Sequence, residues 1–176
     1  TCANLNGAIL DDVTITATKW YEASGGNPAF CQVNATRAPY LDMEVDVPAG
    51  WSGRLWQQGG GGLDGKITSA ITTDATTGAI TSMSIALKDG LAVYAASNGG
   101  NRSAVPAEAA PLVWANGTPE GVASAKDYAW AALSTTREFA VAVIKKFYGI
   151  SPRYRYFNGC SNGGRNAYMA ADRWTE

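Results

Sequence analysis

The chain has 176 residues, with 14 basic and 15 acidic side chains, a formal net charge of −1 and no histidine. The length suits one domain with a hydrophobic core. The balanced charge argues against nucleic acid or an anionic membrane as partner, because either would favour a concentrated basic face. Without histidine, the chain holds no complete Ser-His-Asp or Cys-His catalytic set and no histidine-ligated metal. No apolar run approaches the ~18 residues that cross a bilayer.

The first predicted element is a strand over residues 41–47, where apolar residues alternate with acidic ones and predict one buried and one solvent-facing side. The acidic residues are Asp42, Glu44 and Asp46. After a turn at residues 51–53, a second strand is predicted over residues 54–58, antiparallel to the first as in a hairpin. Residues 63–84 are assigned as a loop with room for a short helix.

The second half of the chain predicts an alternation of strands and helices. Residues 91–96 are nearly all apolar, which predicts a strand buried on both faces. A long helix is predicted over residues 125–148, ended by Gly149. A strand over residues 153–157, a tight glycine turn and a helix over residues 164–174 follow. This order predicts parallel strands with right-handed crossovers, and hence an α/β fold.

The turn before the last helix carries the strongest motif. Gly159 to Gly163 fits G-x-S-x-G, the nucleophile elbow, in which a strained serine stands between a strand and a helix. Ser161 would be the nucleophile, and the backbone N–H of Asn162 would donate to the oxyanion of a tetrahedral intermediate. The alternative is a glycine-rich connector with a surface serine.

A second glycine motif, Gln58 to Gly62, directly follows a predicted strand. It is either a flexible loop or the counterpart of the H-G-G-G oxyanion loop of esterases, with Gln58 in place of the histidine. In the second case Gly60 is the best candidate for the other oxyanion donor and Gly61 the next. Each such donor typically lowers the barrier by ~3 kcal/mol.

Three cysteines, Cys2, Cys31 and Cys160, are spaced too widely for a zinc knuckle, and we expect no metal site. Cys2 and Cys31 are either two buried thiols or a disulfide, and we favour the disulfide because it would hold the N-terminus. Cys160 then lacks a partner in this chain.

The chain begins at Thr1 without a basic or apolar leader, and we interpret it as a mature secreted or periplasmic protein. Three glycosylation sequons agree with that location, at Asn34, Asn101 and Asn116.

These motifs together resemble the tannase/feruloyl esterase family of secreted serine esterases, which also includes the enzyme that cleaves mono(hydroxyethyl) terephthalate. A cysteine immediately before the nucleophile, here Cys160, is typical of that family. The resemblance extends along nearly the whole chain, through Cys2 with Cys31, residues 47–54, 58–65, 98–100, 146–149 and 156–165.

The resemblance implies an α/β-hydrolase core, of which residues 1–176 form the N-terminal part and end one helix after the elbow. The catalytic Asp and His would follow Glu176, as would a lid domain that usually carries a structural calcium. No cofactor is expected in this chain itself. Cys160 would form a disulfide with a cysteine next to the catalytic histidine. The chain departs from the family pattern at Asn98 to Asn101, where Asp-Gly-Gly-His is common, and at Ser134, where histidine is frequent.

We therefore expect a secreted serine carboxylic-ester hydrolase that acts on small aromatic acyl esters of feruloyl, galloyl or terephthaloyl type through an acyl-enzyme on Ser161. The remainder of the enzyme, as a second chain or C-terminal segment, would be the partner of this chain, which alone would be inactive. A Ser-Lys pair is not expected, because Lys145 and Lys146 lie near the end of the preceding helix and S-x-x-K is absent. The alternative is a non-catalytic secreted binding module or an inactive relic of the fold.

Overall fold

A computed structural model of the chain describes residues 1–102 and 117–174. Within them the strands are β1 (Ile9–Leu10), β2 (Val13–Tyr21), β3 (Phe30–Arg37), β4 (Leu41–Pro48), β5 (Arg54–Gln58), β6 (Ile71–Thr73), β7 (Ile80–Met83), β8 (Val93–Ser97) and β9 (Tyr154–Asn158). The helices are α1 (Ile85–Lys88), α2 (Pro119–Lys126), α3 (Ala132–Tyr148) and α4 (Asn162–Arg173), and a π-helical turn, Asp127–Ala131, joins α2 to α3.

Seven strands form one mixed sheet in the order β1-β2-β3-β4-β8-β5-β9, while β6 and β7 form a separate antiparallel pair. Neighbours from β1 to β4 are antiparallel, and β4 is also antiparallel to β8. β5 lies parallel between β8 and β9. Since α2 and α3 come between β8 and β9 along the chain, this half has the predicted strand–helix–strand order. The α/β fold is confirmed.

The predicted hairpin of residues 41–47 with residues 54–58 is wrong, because β8 lies between β4 and β5. Val93 and Ala95 of β8 are fully buried, and a strand that is apolar on both sides is most stable inside a sheet. β8 also begins two residues later than predicted, because Leu91 has a φ of +44°, which is incompatible with a strand.

The predicted solvent-facing side of β4 is also wrong. Glu44 and Asp46 are 6% and 0% exposed, because the segment that follows the glycine loop covers this side of the sheet. The Ser69 hydroxyl and the Ala70 N–H donate to Glu44 Oε1 at 2.6 and 3.0 Å. Burial, together with the neighbouring Glu44 carboxylate, raises the pKa of Asp46 well above its ordinary value.

The covering segment differs from the predicted loop, because residues 71–83 contain β6 and β7, and the short helix α1 follows them. Their side chains pack against Phe30 and Tyr94 in a second hydrophobic cluster. The larger cluster lies where α3 meets the sheet, and includes Phe139, Val143 and Ile144.

The predicted helix over residues 125–148 is confirmed in its second part and begins earlier than expected. Thr118 caps α2 by accepting from the N–H of Gly121 at 3.1 Å, and Pro119 opens the first turn. The helix ends as predicted at Gly149, which has a φ of +79°.

Cys2 and Cys31 form a disulfide with a Cα–Cα distance of 5.6 Å, which confirms the predicted pairing. Cys2 precedes a short 3₁₀ turn, and Cys31 lies in β3, so the bond ties the N-terminus to the sheet. In the described ranges, no helix is both long and apolar enough to span a bilayer.

Candidate active site

Ser161 lies at the tip of the turn between β9 and α4, as the elbow motif predicted. Its φ and ψ are +55° and −123°, a combination that residues with a side chain rarely adopt. Such strained backbone persists only where the surroundings hold it, and it is concentrated at functional sites. Ser161 is also exposed, so its hydroxyl is accessible.

The glycines of the motif are required by close backbone packing. A Cβ on Gly159 would lie 2.3 Å from the carbonyl oxygen of Gly163. A Cβ on Gly163 would lie 2.8 Å from the carbonyl oxygen of Gly60. Real Cβ atoms do not approach other atoms so closely, so both positions require glycine. Gly159 allows the tight turn within the elbow, and Gly163 allows the elbow to pack directly on the glycine loop.

Backbone N–H groups of both motifs are available at this contact. Asn162 is the first residue of α4, so its N–H has no partner in a preceding helical turn and stands at the positive end of the helix dipole. The Gly59 N–H donates to the Asn158 carbonyl at 2.8 Å. Within the described ranges, the N–H groups of Gly60 and Gly61 donate no backbone hydrogen bond, and Gly60 is buried whereas Gly61 is exposed.

The Asn162 side chain is held from two sides. Its Nδ2 donates to Asp64 Oδ1 at 2.7 Å, and its Oδ1 accepts from Arg165 Nε at 2.7 Å and from the Tyr128 hydroxyl at 3.2 Å. Arg165 also donates to the carbonyl oxygens of Tyr128 and Ala129 at 2.7 and 3.1 Å. These contacts connect the glycine loop, the elbow and the turn before α3.

Asp64 is 9% exposed, and burial raises its pKa to about 6, although the hydrogen bond from Asn162 and the charge of Arg165 lower it. Asp64 is not among the site residues that the sequence predicts. Its sequence signal is faint: an aspartate between leucine and glycine at the end of a glycine run, where a turn would be expected.

Gln58, in the place of the expected histidine, links the ends of β5 and β9 by hydrogen bonds. Its Nε2 donates to the Gly59 carbonyl at 3.1 Å, and its Oε1 accepts from Asn158 Nδ2 at 3.0 Å. The glycine loop is tied to the end of β8 as well, because the Gly65 N–H donates to the Asn98 carbonyl at 2.8 Å. These bonds make the loop an ordered part of the sheet edge.

The other candidate groups lie apart from the elbow. Lys145 and Lys146 are in the last turn of α3, which precedes the start of β9, whereas Ser161 follows its end. Five strand residues, or about 16 Å, separate these two edges of the sheet. In the two described ranges, no group of three or more His, Cys, Asp or Glu side chains is placed to hold a metal ion.

Cys160 is a free, exposed thiol beside Ser161, and its partner outside this chain remains a prediction. Among the sequons, Asn34 is half-buried in β3 and Asn101 is 3% exposed. Asn116 lies outside the described residues.

Comparisons with known proteins agree on one family. The family model "Tannase and feruloyl esterase" matches residues 25–176. An uncharacterized esterase of Xanthomonas campestris pv. campestris is 32% identical over 188 aligned positions, which cover 98% of this chain and 29% of that protein. The mono(2-hydroxyethyl) terephthalate hydrolase of Piscinibacter sakaiensis is 28% identical over 165 positions, covering 84% of this chain and 25% of that protein.

The fold has a counterpart among solved structures. Feruloyl esterase B from Aspergillus oryzae superimposes with a TM-score of 0.73 at 20% identity, covering 99% of this chain and 35% of that one. The chain thus spans about a quarter to a third of the length of these relatives. By the family match over residues 25–176, the chain belongs to the tannase and feruloyl esterase family.

Proposed function

We propose that this chain carries the nucleophile and the oxyanion hole of a carboxylic-ester hydrolase. The observation that carries the proposal is the strained, exposed Ser161 packed through Gly163 against the Gly59–Gly60 backbone. Ser161 Oγ attacks the ester carbonyl carbon and forms a tetrahedral intermediate, and the alcohol then leaves. Water releases the acid from the resulting acyl-enzyme.

The oxyanion is stabilised by two backbone donors. One is the N–H of Asn162 at the start of α4, and the other is the N–H of Gly60, with Gly61 as the alternative. Gly59 is not a candidate, because its N–H already donates to Asn158. Removing a single oxyanion donor typically costs about 100- to 1000-fold in kcat, so these positions account for a substantial part of the rate.

The general base and its orienting acid come from polypeptide outside residues 1–176. The chain has no histidine, and a serine hydroxyl without a base is a poor nucleophile. The same additional polypeptide supplies the partner of Cys160 and a lid, in which a structural calcium would lie. The buried Cys2–Cys31 disulfide supports a secreted or periplasmic location, where disulfides persist.

Aromatic acyl esters are the proposed substrates. Support comes from the names of the relatives, which specify feruloyl esters and a terephthalate monoester. Parallel assays of the natural full-length protein on methyl ferulate, methyl gallate and a terephthalate monoester would identify the preferred acyl group.

A fluorophosphonate probe tests the nucleophile in the natural full-length protein. Ser161 should be labelled, and Ser161→Ala should abolish labelling and hydrolysis. Ser82→Ala, a change at an exposed serine of β7, is the matched control and should change neither. Labelling at Cys160 would contradict the assignment of Ser161. No labelling of intact, folded protein would favour a non-catalytic relic of the fold.

A further inference from the structure

We infer that Asp64 is a positioning residue for the oxyanion hole: its carboxylate holds the Asn162 side chain and thereby fixes the direction of the Asn162 backbone N–H. This inference rests on the proposed function. It concerns a residue that belongs to neither glycine motif and contacts no reacting atom.

The carboxylate occupies a position where three segments of the chain meet. Asp64 closes a tight turn of the glycine loop, with its N–H donating to the Gly61 carbonyl at 2.9 Å. A Cβ on Gly60 would lie 2.6 Å from Oδ1, and one on Gly99 would lie 2.0 Å from Oδ2. The third contact is Asn162 at the start of α4. The absence of side chains at both glycines therefore leaves room for this carboxylate.

The Asn162 amide can take only one orientation in this setting. Asp64 offers an acceptor to Nδ2, while Arg165 and Tyr128 offer donors to Oδ1, so a flipped amide would lose all three bonds. Fixing the side chain fixes the Cα of Asn162, and with it the peptide that follows the strained Ser161. Strained backbone of this kind requires such support from its surroundings.

Asp64 thus contacts both halves of the oxyanion hole. Its backbone N–H closes the turn from Gly61 to Asp64, which directly follows Gly60, and its carboxylate lies beside Gly60 and holds the residue that carries the other amide. Donors must be aimed at the place where charge develops, and a misplacement of about 1 Å can cost about 100-fold in rate. A bond between the two halves maintains their separation, which neither half can set alone.

The first test compares Asp64→Ala with Asp64→Asn in the natural full-length protein. Asp64→Ala should lower kcat by about 10- to 100-fold with little change in KM, because the loss affects the transition state. Asp64→Asn keeps an oxygen at the position of Oδ1 and should restore most of kcat. Asp74→Ala, in the exposed turn between β6 and β7, is the control and should match wild type. Equal kcat for Asp64→Ala and wild type would overturn the inference.

The second test is a double-mutant cycle with Asn162→Ala, which removes the side chain but keeps the backbone N–H. Asn162→Ala should lose about the same factor in kcat as Asp64→Ala. Adding Asp64→Ala to it should cost less than about threefold more, because the shared contact is already gone. If the loss in kcat of the double variant equals the product of the two single losses, Asp64 acts independently of the Asn162 side chain. That result would overturn the inference. If Asp64→Ala does not fold, Asn162→Ala decides alone: a wild-type kcat contradicts the proposal.

Fluorophosphonate labelling separates failure of this inference from failure of the proposed function. Wild-type protein labelled at Ser161 should react about 10-fold or more faster than Asp64→Ala, since the phosphonyl oxygen uses the same donors. Equal labelling rates would overturn the role of Asp64 and leave the nucleophile intact. No labelling of wild type would overturn both.

Discussion

The backbone of Gly163 in the elbow helix lies against the carbonyl of Gly60, so closely that a Cβ on Gly163 would be 2.8 Å from that oxygen. This contact joins the two glycine motifs into one site. It also explains why the second glycine of G-x-S-x-G is needed in this chain: the space of its side chain is taken by the glycine loop.

Replacing Gly163 by alanine should disrupt this contact. We expect Gly163→Ala to lower the free energy of unfolding by about 1–3 kcal/mol, because backbone rather than a flexible side chain must move. Gly164→Ala is the matched control, since its Cβ would meet nothing closer than 3.8 Å, and its effect should be neutral or stabilising by up to about 1 kcal/mol. Urea unfolding of both variants measures the difference. Equal stabilities would contradict the close packing described for Gly163.

The buried carboxyl of Asp64 should make stability depend on pH. Its pKa is raised to about 6 in the folded state, so the folded protein retains a proton between pH ~4 and ~6 that the unfolded chain releases. Stability should therefore fall as pH rises through this window, by at most about 3 kcal/mol. Asp64→Asn should lack this decline and be more stable than wild type at pH 7 but not below pH ~4.

Urea unfolding at several pH values measures this effect, and Asp74→Asn serves as its control. Hydrogen bonds from Thr77 and Thr76 lower the pKa of the exposed Asp74, so this substitution should change stability in the opposite direction, with a loss at neutral pH. A pH-independent difference between wild type and Asp64→Asn would mean that Asp64 is not the titrating group.

The Cys2–Cys31 disulfide should contribute measurably to stability, because it joins the N-terminus to a position in β3 that is 29 residues further along the chain. Replacing both cysteines by alanine is expected to cost about 3–4 kcal/mol, chiefly by freeing the unfolded chain. Thermal or urea unfolding measures the loss. Wild type treated with reductant should fall to the level of the double variant, and a reductant-insensitive wild type would argue against the bond.

The Cys160 thiol should form a disulfide in the active protein. Mass spectrometry of the natural full-length protein without reduction should find Cys160 in a disulfide with a cysteine outside residues 1–176. Such a bond would hold the elbow close to the segment that supplies the base. A free Cys160 in fully active protein would contradict this prediction.

The elbow and α3 could be predicted from the sequence, because short-range residue patterns determine both. The elbow at Ser161 depends on neighbours within three residues, and its glycines and following helix are visible as a motif. α3 was similarly evident from its apolar spacing and from Gly149. Both features can be predicted because the residues that determine them are close in sequence.

Contacts between distant residues could not be predicted in the same way. The place of β8 between β4 and β5, and the burial of Glu44 by the segment at Ser69 and Ala70, depend on tertiary packing rather than on local pattern. Asp64 belongs to this class as well, because its partner Asn162 is 98 residues away. An aspartate in a turn gives no indication of what it will meet.

The position of β9 has a consequence for how the reacting serine is supported. In the described portions of the chain, β9 pairs with β5 alone, and Tyr154 and Tyr156 are 45% and 43% exposed. Among these residues, the strand leading to Ser161 is hydrogen-bonded to β5 along its length, and the elbow packs on the glycine loop that extends from the same β5. A single segment, residues 54–62, supports the nucleophile both by strand pairing and by backbone packing. A substitution that shifts the backbone anywhere in residues 54–62 should therefore also shift Ser161, even where the substituted residue contacts no substrate.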